Sequence, residues 1–581
     1  MKDRIYLNDN EVILNFDLVY PETSLEVIKS KEFKVFMQSY IAHLEETDSK
    51  LYNWATQGKS LQTAIEALST FARQTLVFSA DEIESPYIED RTSALSFVEG
   101  MYDFWKAHER YSVTTDRRRE SSSTTFVHAD SSHNQLIMAT YRRIEETLMG
   151  RANKIYRQQP AGTNAALSLY KNESFKLGAR YESLRKVKFI DSIMLRTPMI
   201  LHPKSNKREW AFQQVYENPL DTFKGNSDEF FCFPAKVGDL TVFVYFHRDF
   251  MSNGVSLANL FELASKKEAS KKPDCVLIFG NDDGKNACTF YHDEEENIWV
   301  GSVTYNEKIS YFGYMKKTVL TLHNVAMMQK GWLPIHGAFV NITLKNGKSK
   351  GICLMGDSGA GKSETIEALK SLGNEKIKNI EIVFDDMGTF HVEDGTVYAK
   401  GTEIGAFVRL DDLDPGTPYR DMNRSIFFNP DLSNARVITP AAPYSVVTDN
   451  HHVDLFAYAN NYDEDLGLHE FENLDDAKTV FVEGKRMAKG TTQEVGLSTT
   501  YFANPFGPMQ QQDICDPIID KVYECLKDNG VFIGEVYTHL GRDPEDRESI
   551  VKGAEELLRF IEEMIAVATT VVVSVVWARN R

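Results

Sequence analysis

The residues with the clearest chemical purpose lie in GICLMGDSGAGKSETIEALK, positions 351–370. The phosphate-loop pattern G-x-x-x-x-G-K-[ST] runs from Gly356 through Asp357, Ser358, Gly359, Ala360, Gly361 and Lys362 to Ser363. GICLM reads as a short apolar strand, the glycines as a tight loop, and ETIEALKSLG as a helix ending at a glycine. That order aims backbone N–H groups and the positive end of a helix at phosphates. Lys362 would then reach the β- and γ-phosphates of a nucleoside triphosphate, and Ser363 would hold the accompanying divalent cation. The loop names a phosphoryl donor and leaves the acceptor open.

Two neighbouring segments carry groups that suit the same chemistry. In EIVFDDMGTF a run of β-formers delivers Asp385 and Asp386 to a strand end, where paired carboxylates can hold a metal on bound phosphates. An Asp-rich turn is the plainer alternative. Upstream, YFGYMKKTVLTLHNVAMMQKGWLPIHGAFVN contains Lys316, Lys317 and His336. Taken singly, such a histidine is more often a satisfied core residue, and such a lysine a surface charge.

The elements that must position these groups belong to a large chain. At 581 residues it exceeds one ordinary core, so two or three domains are expected. Residues 1–185 read as mostly helical, with apolar residues three and four apart in SLEVIKSKEFKVFMQSYIAHLEE, SLQTAIEALSTFARQTLVF and NQLIMATYRRIEETLMGRANKIYRQ. The polar SVTTDRRRESSSTTFVHADSSH between them reads as a loop. Residues 186–315 turn to short β-rich runs (DLTVFVYFHRDF, DCVLIFG, NIWVGSVTY), a mixed α/β domain with SKKEASKKPD as a surface loop. From 316 to 581 strands and helices alternate around the phosphate loop. The fold class is therefore α/β, with an α+β N-terminal part.

A net charge of −19 argues against nucleic acid or an anionic membrane as a general partner. Six scattered cysteines, none in a C-x-x-C pair, and an N-terminus without a signal-peptide core point to a cytoplasmic setting. The apolar C-terminal run MIAVATTVVVSVVWARNR has about 14 apolar-run residues against the roughly 20 that span a bilayer. It reads as a buried strand or terminal packing segment.

Taken together and in order, YFGYMKK (311–317), LPIHGAFVN (333–341), GDSGAGKS (356–363), VFDD (383–386), DGTVYAKG (394–401) and SNARVITP (433–440) resemble phosphoenolpyruvate carboxykinase of the ATP-dependent type. YFANPFGP (501–508) is weakly similar to a further segment of that family. The resemblance covers roughly residues 305–545. It implies a carboxykinase-like phosphate-loop domain that binds ATP and Mg2+ at Lys362 and Ser363, with residues 186–315 on the substrate side. It implies that Lys317, His336 and Asp386 ligate Mn2+, that Arg436 bridges phosphoryl group and substrate, and that Tyr311 lies near a substrate carboxyl group. Lys317, Arg436, Asp385 and Tyr311 are then the catalytic candidates. The implied reaction converts oxaloacetate and ATP to phosphoenolpyruvate, ADP and CO2.

The chain departs from that family in its longer, differently patterned N-terminal part, in the residues after His336 of the P-M-H-C-S-A-N segment, and in two further places. Tyr314 replaces the glutamate of Y-x-G-E-M-K-K, and T-G-R-S-P-K-D, whose arginine holds the substrate carboxylate, has no counterpart. Arg117–Arg119, Arg142, Arg143, Arg180 and Arg185 are candidate replacements. The loop itself is closer to HPr kinase/phosphorylase, which implies a second reading: a kinase of the same fold acting on another small molecule or a protein hydroxyl, with Asp385 or Asp386 as base. A catalytically idle nucleotide-binding protein is the third.

Overall fold

The computed structural model of the chain describes residues 4–7, 11–15, 18–107, 109–113, 123–157, 164–195, 197–223, 225–357, 359–373, 375–410, 422–488, 496–543 and 547–579. Helix and sheet are mixed throughout, as an α/β class requires. By contacts the chain divides into two compact units, Met1–Lys154 and Ile155–Arg581.

In the first unit, helices Lys31–Thr47, Leu61–Val77, Arg91–Ala107 and Ser123–Met149 enclose a core that includes Tyr40, Ile41, Phe71, Tyr87 and Phe97. Ser30 and Ser60 cap the first two by accepting backbone N–H groups of the opening turn. A small sheet of Ile5–Leu7, Glu11–Asn15 and Glu109–Val113 accompanies the helices. The Ser/Thr-rich stretch expected to be a loop is helical from Ser123 onward; its arginines Arg117–Arg119 lie outside the described residues. Ser and Thr lower helix propensity only slightly, and a helix already nucleated over 134–149 propagates through them.

The second unit holds two large sheets. The ten-stranded one runs, in spatial order, through Ile155–Arg157, Lys188–Leu195, Phe230–Val237, Leu240–His247, Cys275–Asn281, Ile298–Thr304, Cys288–Asp293 and Phe212–Gln214, with Ala165–Tyr170 and Glu262–Leu263 paired alongside. Ile155–Arg157 and Ala165–Tyr170 both pair with Lys188–Leu195, so these two strands belong to this sheet. The supposed surface loop at 265–274 contains one helical turn, Lys266–Ala269, closed by a Ser265–Glu268 capping box.

The elements that carry the candidate site are α1 (Phe312–Gln329), β1 (Leu333–Leu344), β2 (Ser349–Met355), α2 (Lys362–Leu372), β3 (Ile377–Phe384) and β4 (Met387–Glu393). Apolar residues surround α1 on every side, the signature of a wholly buried helix. It packs on strands Cys275–Asn281 and Ile298–Thr304 of one sheet and on β1 of the other. Gly301 makes that approach possible, since a methyl group there would lie 2.9 Å from Leu322.

In the nine-stranded sheet, β1 pairs with β2 along one edge. Its other edge is shared: β4 pairs with Leu333–His336 and β3 with Phe339–Leu344. β2 continues in parallel to Leu455–Asn460 and then Phe532–Tyr537. The apolar C-terminal run is not a strand but continues the helix Arg547–Arg579, whose Leu557, Leu558 and Ile561 are buried in the core that α2 shares. Its Val-rich composition suits a strand, but the run extends a helix already started at Arg547, and helix continuation costs little. Among the described residues no helix is long and apolar enough to cross a membrane.

Candidate active site

Asp385 and Asp386 fill the break between β3 and β4, opposite the middle of β1. Backbone bonds tie the segments together there. The Gly337 N–H donates to the Asp386 carbonyl at 3.0 Å, and the Gly356 N–H donates to the His336 carbonyl at 3.1 Å. A side chain at Gly337 would meet the Leu354 carbonyl at 2.6 Å, so glycine is what lets β1 and β2 close at this point.

Three of the sequence-predicted residues meet at the Asp386 carboxylate. Lys317 Nζ lies 2.7 and 2.9 Å from its two oxygens, and His336 Nε2 lies 3.3 Å from Oδ1. Lys316, buried beside them, contacts Asp386 at 2.6 Å and Glu403 at 2.9 Å. Burial works to protonate Asp386, but Lys316 and Lys317 outweigh it and hold the carboxyl well below its usual range. Burial pulls the Lys317 ammonium down to about 8, against the opposing charge of Asp386 and with help from Lys316. Glu403 is pushed up by burial although Lys316 opposes it.

The orientation of His336 is set by its other nitrogen. Nδ1 lies 2.6 Å from the Ala503 carbonyl, which only a ring N–H can satisfy. That bond leaves Nε2 facing the Asp386 carboxylate at 3.3 Å, the nitrogen available to a cation when it carries no proton. The backbone bends to provide that carbonyl: Phe502 and Ala503 both adopt left-handed conformations, with φ of 50° and 44°. This donor set suits a divalent cation: an imidazole lone pair, an ionised carboxylate and an amine whose proton is loosened. Among the described residues no group of three His, Cys, Asp or Glu side chains is placed to hold a metal; the side chains that meet at Asp386 are one imidazole and two lysines.

The phosphate loop has the expected build. Gly356, Gly359 and Gly361 have positive φ, and a methyl group on Gly361 would sit 2.7 Å from Thr538. Thr538 Oγ1 donates to the Ala360 carbonyl at 2.7 Å, and Asn461 donates to the Gly359 carbonyl at 3.2 Å. Lys362 opens α2 and folds back to donate to the carbonyls of Gly356 and Asp357 at 2.6 and 3.0 Å. Burial lowers its pKa, with Asp357, Asp386 and Asp385 opposing. Asp357 pairs with Arg486 at 2.9 Å. Ser358, also predicted for the loop, lies outside the described residues.

Asp385 faces the loop and not the lysines. Ser363 Oγ donates to its Oδ1 at 3.1 Å, and burial lifts its carboxyl to about 6 although Lys362 opposes the shift. The adjacent aspartates thus have separate tasks.

Arg436 lies on strand Arg436–Pro440, across from Arg409. Its Nη2 donates to Asn434 at 2.9 Å, its buried Nε has no hydrogen-bond partner among the described residues, and its guanidinium lies 5.7 Å from the Phe407 ring. Lys316 and Tyr311 flank the same ring, so Phe407 gathers Arg436, Lys316 and Tyr311 around one aromatic surface.

Of the arginines nominated for the carboxylate, Arg180 pairs with Asp221 and Arg185 with Glu182, while Arg142 and Arg143 belong to the first unit. The arginine the sequence reading missed is Arg208. Its guanidinium lies 5.3 Å from the Phe212 ring and 5.0 Å from the Phe506 ring; Lys317 Nζ lies 4.4 Å from that same Phe506 ring. Burial works against its charge, which Tyr311 and Asp386 help to support. KSNKREW contains no motif to mark it, and only the fold brings it to the site. Glu403, two residues beyond the DGTVYAKG segment, and Phe506 were also overlooked.

No protein-family model matches the chain, and no curated protein sequence matches it.

Proposed function

We propose that the chain transfers the γ-phosphoryl group of ATP to an enolate formed in its own site, converting oxaloacetate and ATP to phosphoenolpyruvate, ADP and CO2. The observation that carries this reading is the meeting of Lys317, His336 and Lys316 on Asp386, one residue from an aspartate hydrogen-bonded to the phosphate-loop serine.

Lys317, His336 and Asp386 would hold Mn2+, which supplies Lewis-acid stabilisation of negative charge on oxygen. Lys362 and the loop amides would bind the ATP phosphates, with Ser363 on their Mg2+. Arg436 offers a planar donor fork with a free Nε to the phosphoryl group. Arg208 offers a guanidinium to a substrate carboxylate. The bond to the departing carboxylate breaks, and its electrons form the enolate. The enolate oxygen makes the new P–O bond as the bond to ADP breaks. No proton is taken up and no covalent enzyme intermediate forms.

One observation favours a second reading, a kinase acting on a hydroxyl group. Asp385 has a carboxyl raised by burial in spite of Lys362, and it accepts the Ser363 hydroxyl, which suits a general base. A coupled assay for phosphoenolpyruvate from oxaloacetate, ATP and Mn2+ separates the two. Product formation abolished by Lys362→Ala supports the carboxykinase reading. ATP turnover without phosphoenolpyruvate, abolished by the same substitution, supports the hydroxyl kinase.

A further inference from the structure

The residue that breaks the carboxykinase pattern, Tyr314, sits where it can hold Arg208. Its side chain is wholly buried in α1, one helical turn before Lys317. The hydroxyl oxygen accepts two successive backbone N–H groups, from Glu209 at 2.5 Å and from Trp210 at 3.3 Å. The Trp210 ring packs on the tyrosine ring at a centroid distance of 5.6 Å. The phenol accepts both amides without burying a charge.

Other bonds also hold the 203–210 segment. Asn429 donates to the Pro203 carbonyl at 2.9 Å, Asn206 to the Ser433 carbonyl at 2.9 Å, and Lys204 and Lys308 pair with Glu307 and Glu209. Both lysine pairs are solvent-exposed and contribute little. The Tyr314 contact is part-buried, as is the Asn429 bond, but it lies immediately beside Arg208 and links that residue to the helix that carries Lys316 and Lys317.

We infer that Tyr314 is a positioning residue that sets Arg208 against the lysine cluster for the binding of a small carboxylate, with its hydroxyl as the working atom. This inference rests on the proposed carboxylate role of Arg208. Loss of the hydroxyl leaves ring packing intact and frees the segment, so the cost falls on carboxylate binding and not on the nucleotide.

Calorimetric titration with malonate, a plain dicarboxylate, in the presence of Mn2+ tests it on the full chain. Tyr314→Phe is expected to weaken malonate by about tenfold and leave ATP affinity unchanged. Arg208→Lys is expected to do the same, and the double variant to be no worse than the worse single one. In the unsubstituted protein the Glu209 and Trp210 amides should exchange slowly with deuterium, and more slowly with malonate bound. Additive effects, unchanged malonate affinity in Tyr314→Phe, or fast exchange at both amides would overturn the inference and leave the carboxykinase reading standing. Malonate binding of the expected pattern without phosphoenolpyruvate formation would do the reverse. No malonate binding by the unsubstituted protein would sink both.

Discussion

Lys316 and Lys317, adjacent on one helix, reach the same Asp386 carboxylate but hold their protons unequally. Burial discourages charge on both. At Lys316 the ion pairs with Asp386 and Glu403 outweigh it and raise the pKa, whereas at Lys317 burial, helped by the neighbouring Lys316, outweighs Asp386 and the pKa falls to about 8. One lysine is a permanent countercharge, and the other can become an amine.

Lys316→Met should therefore be a stability variant before it is an activity variant. It strands Glu403 and removes one of two cations from Asp386, at a cost of about 3–5 kcal/mol by analogy with broken buried pairs. Adding Glu403→Gln should restore part of that loss. Urea denaturation of the single and double variants measures it, and equal stability of the two would argue against a coupled triad.

His336→Gln should weaken Mn2+ by about tenfold or more, because the Nε2 lone pair is lost while the Ala503 carbonyl keeps a donor. Electron paramagnetic resonance of bound Mn2+ reads the change directly. Unaltered Mn2+ affinity would remove His336 from the ligand set.

Gly361→Ala should abolish tight ATP binding without unfolding the chain. The new methyl group meets Thr538 at 2.7 Å in a backbone conformation, φ +99°, that alanine disfavours. Thr538→Ala in the same chain should relieve the clash but not the backbone strain, so nucleotide affinity recovers only in part. Full recovery would show that the loop tolerates a side chain at this φ.

His323 predicts an acid limit to stability. Buried in α1, its imidazole is pulled down to about 4 chiefly by burial, against an ordinary 6.5. The unfolded chain then binds a proton that the folded one refuses, so stability is full above pH 6.5 and falls as the pH drops toward 4. The gap corresponds to about 3 kcal/mol. Denaturation midpoints measured between pH 7 and 4 should fall less steeply in His323→Gln, and an unchanged slope would refute the assignment.

The phosphate loop was legible because its chemistry is written in eight contiguous residues, and α1, β1 and the paired aspartates because their order along the chain is their order around the site. Arg208 was hidden for the opposite reason. Its placement depends on asparagine bonds between residues more than 200 positions apart, such as Asn206 with Ser433, and on a tyrosine whose position looked like a defect. The strand pairing of Glu11–Asn15 with Glu109–Val113 was missed for the same reason: nothing local signals a partner so remote in sequence. Within the mostly helical reading of 1–185, the strands Ile155–Arg157 and Ala165–Tyr170 went unseen because they take their identity from Lys188–Leu195.

The break between β3 and β4 imposes a tolerance on the chain's length. Both flanking strands pair with the same β1, and the two residues that bridge them are the two carboxylates themselves. The pairing of β3 with β1 already shifts register just before the bridge, between Ile382 and Phe384. A further residue inserted at the aspartates themselves would send Asp386 away from the lysines or Asp385 away from Ser363. Spacing at this point is as binding as residue identity, and substitutions should be survived there more often than single-residue insertions.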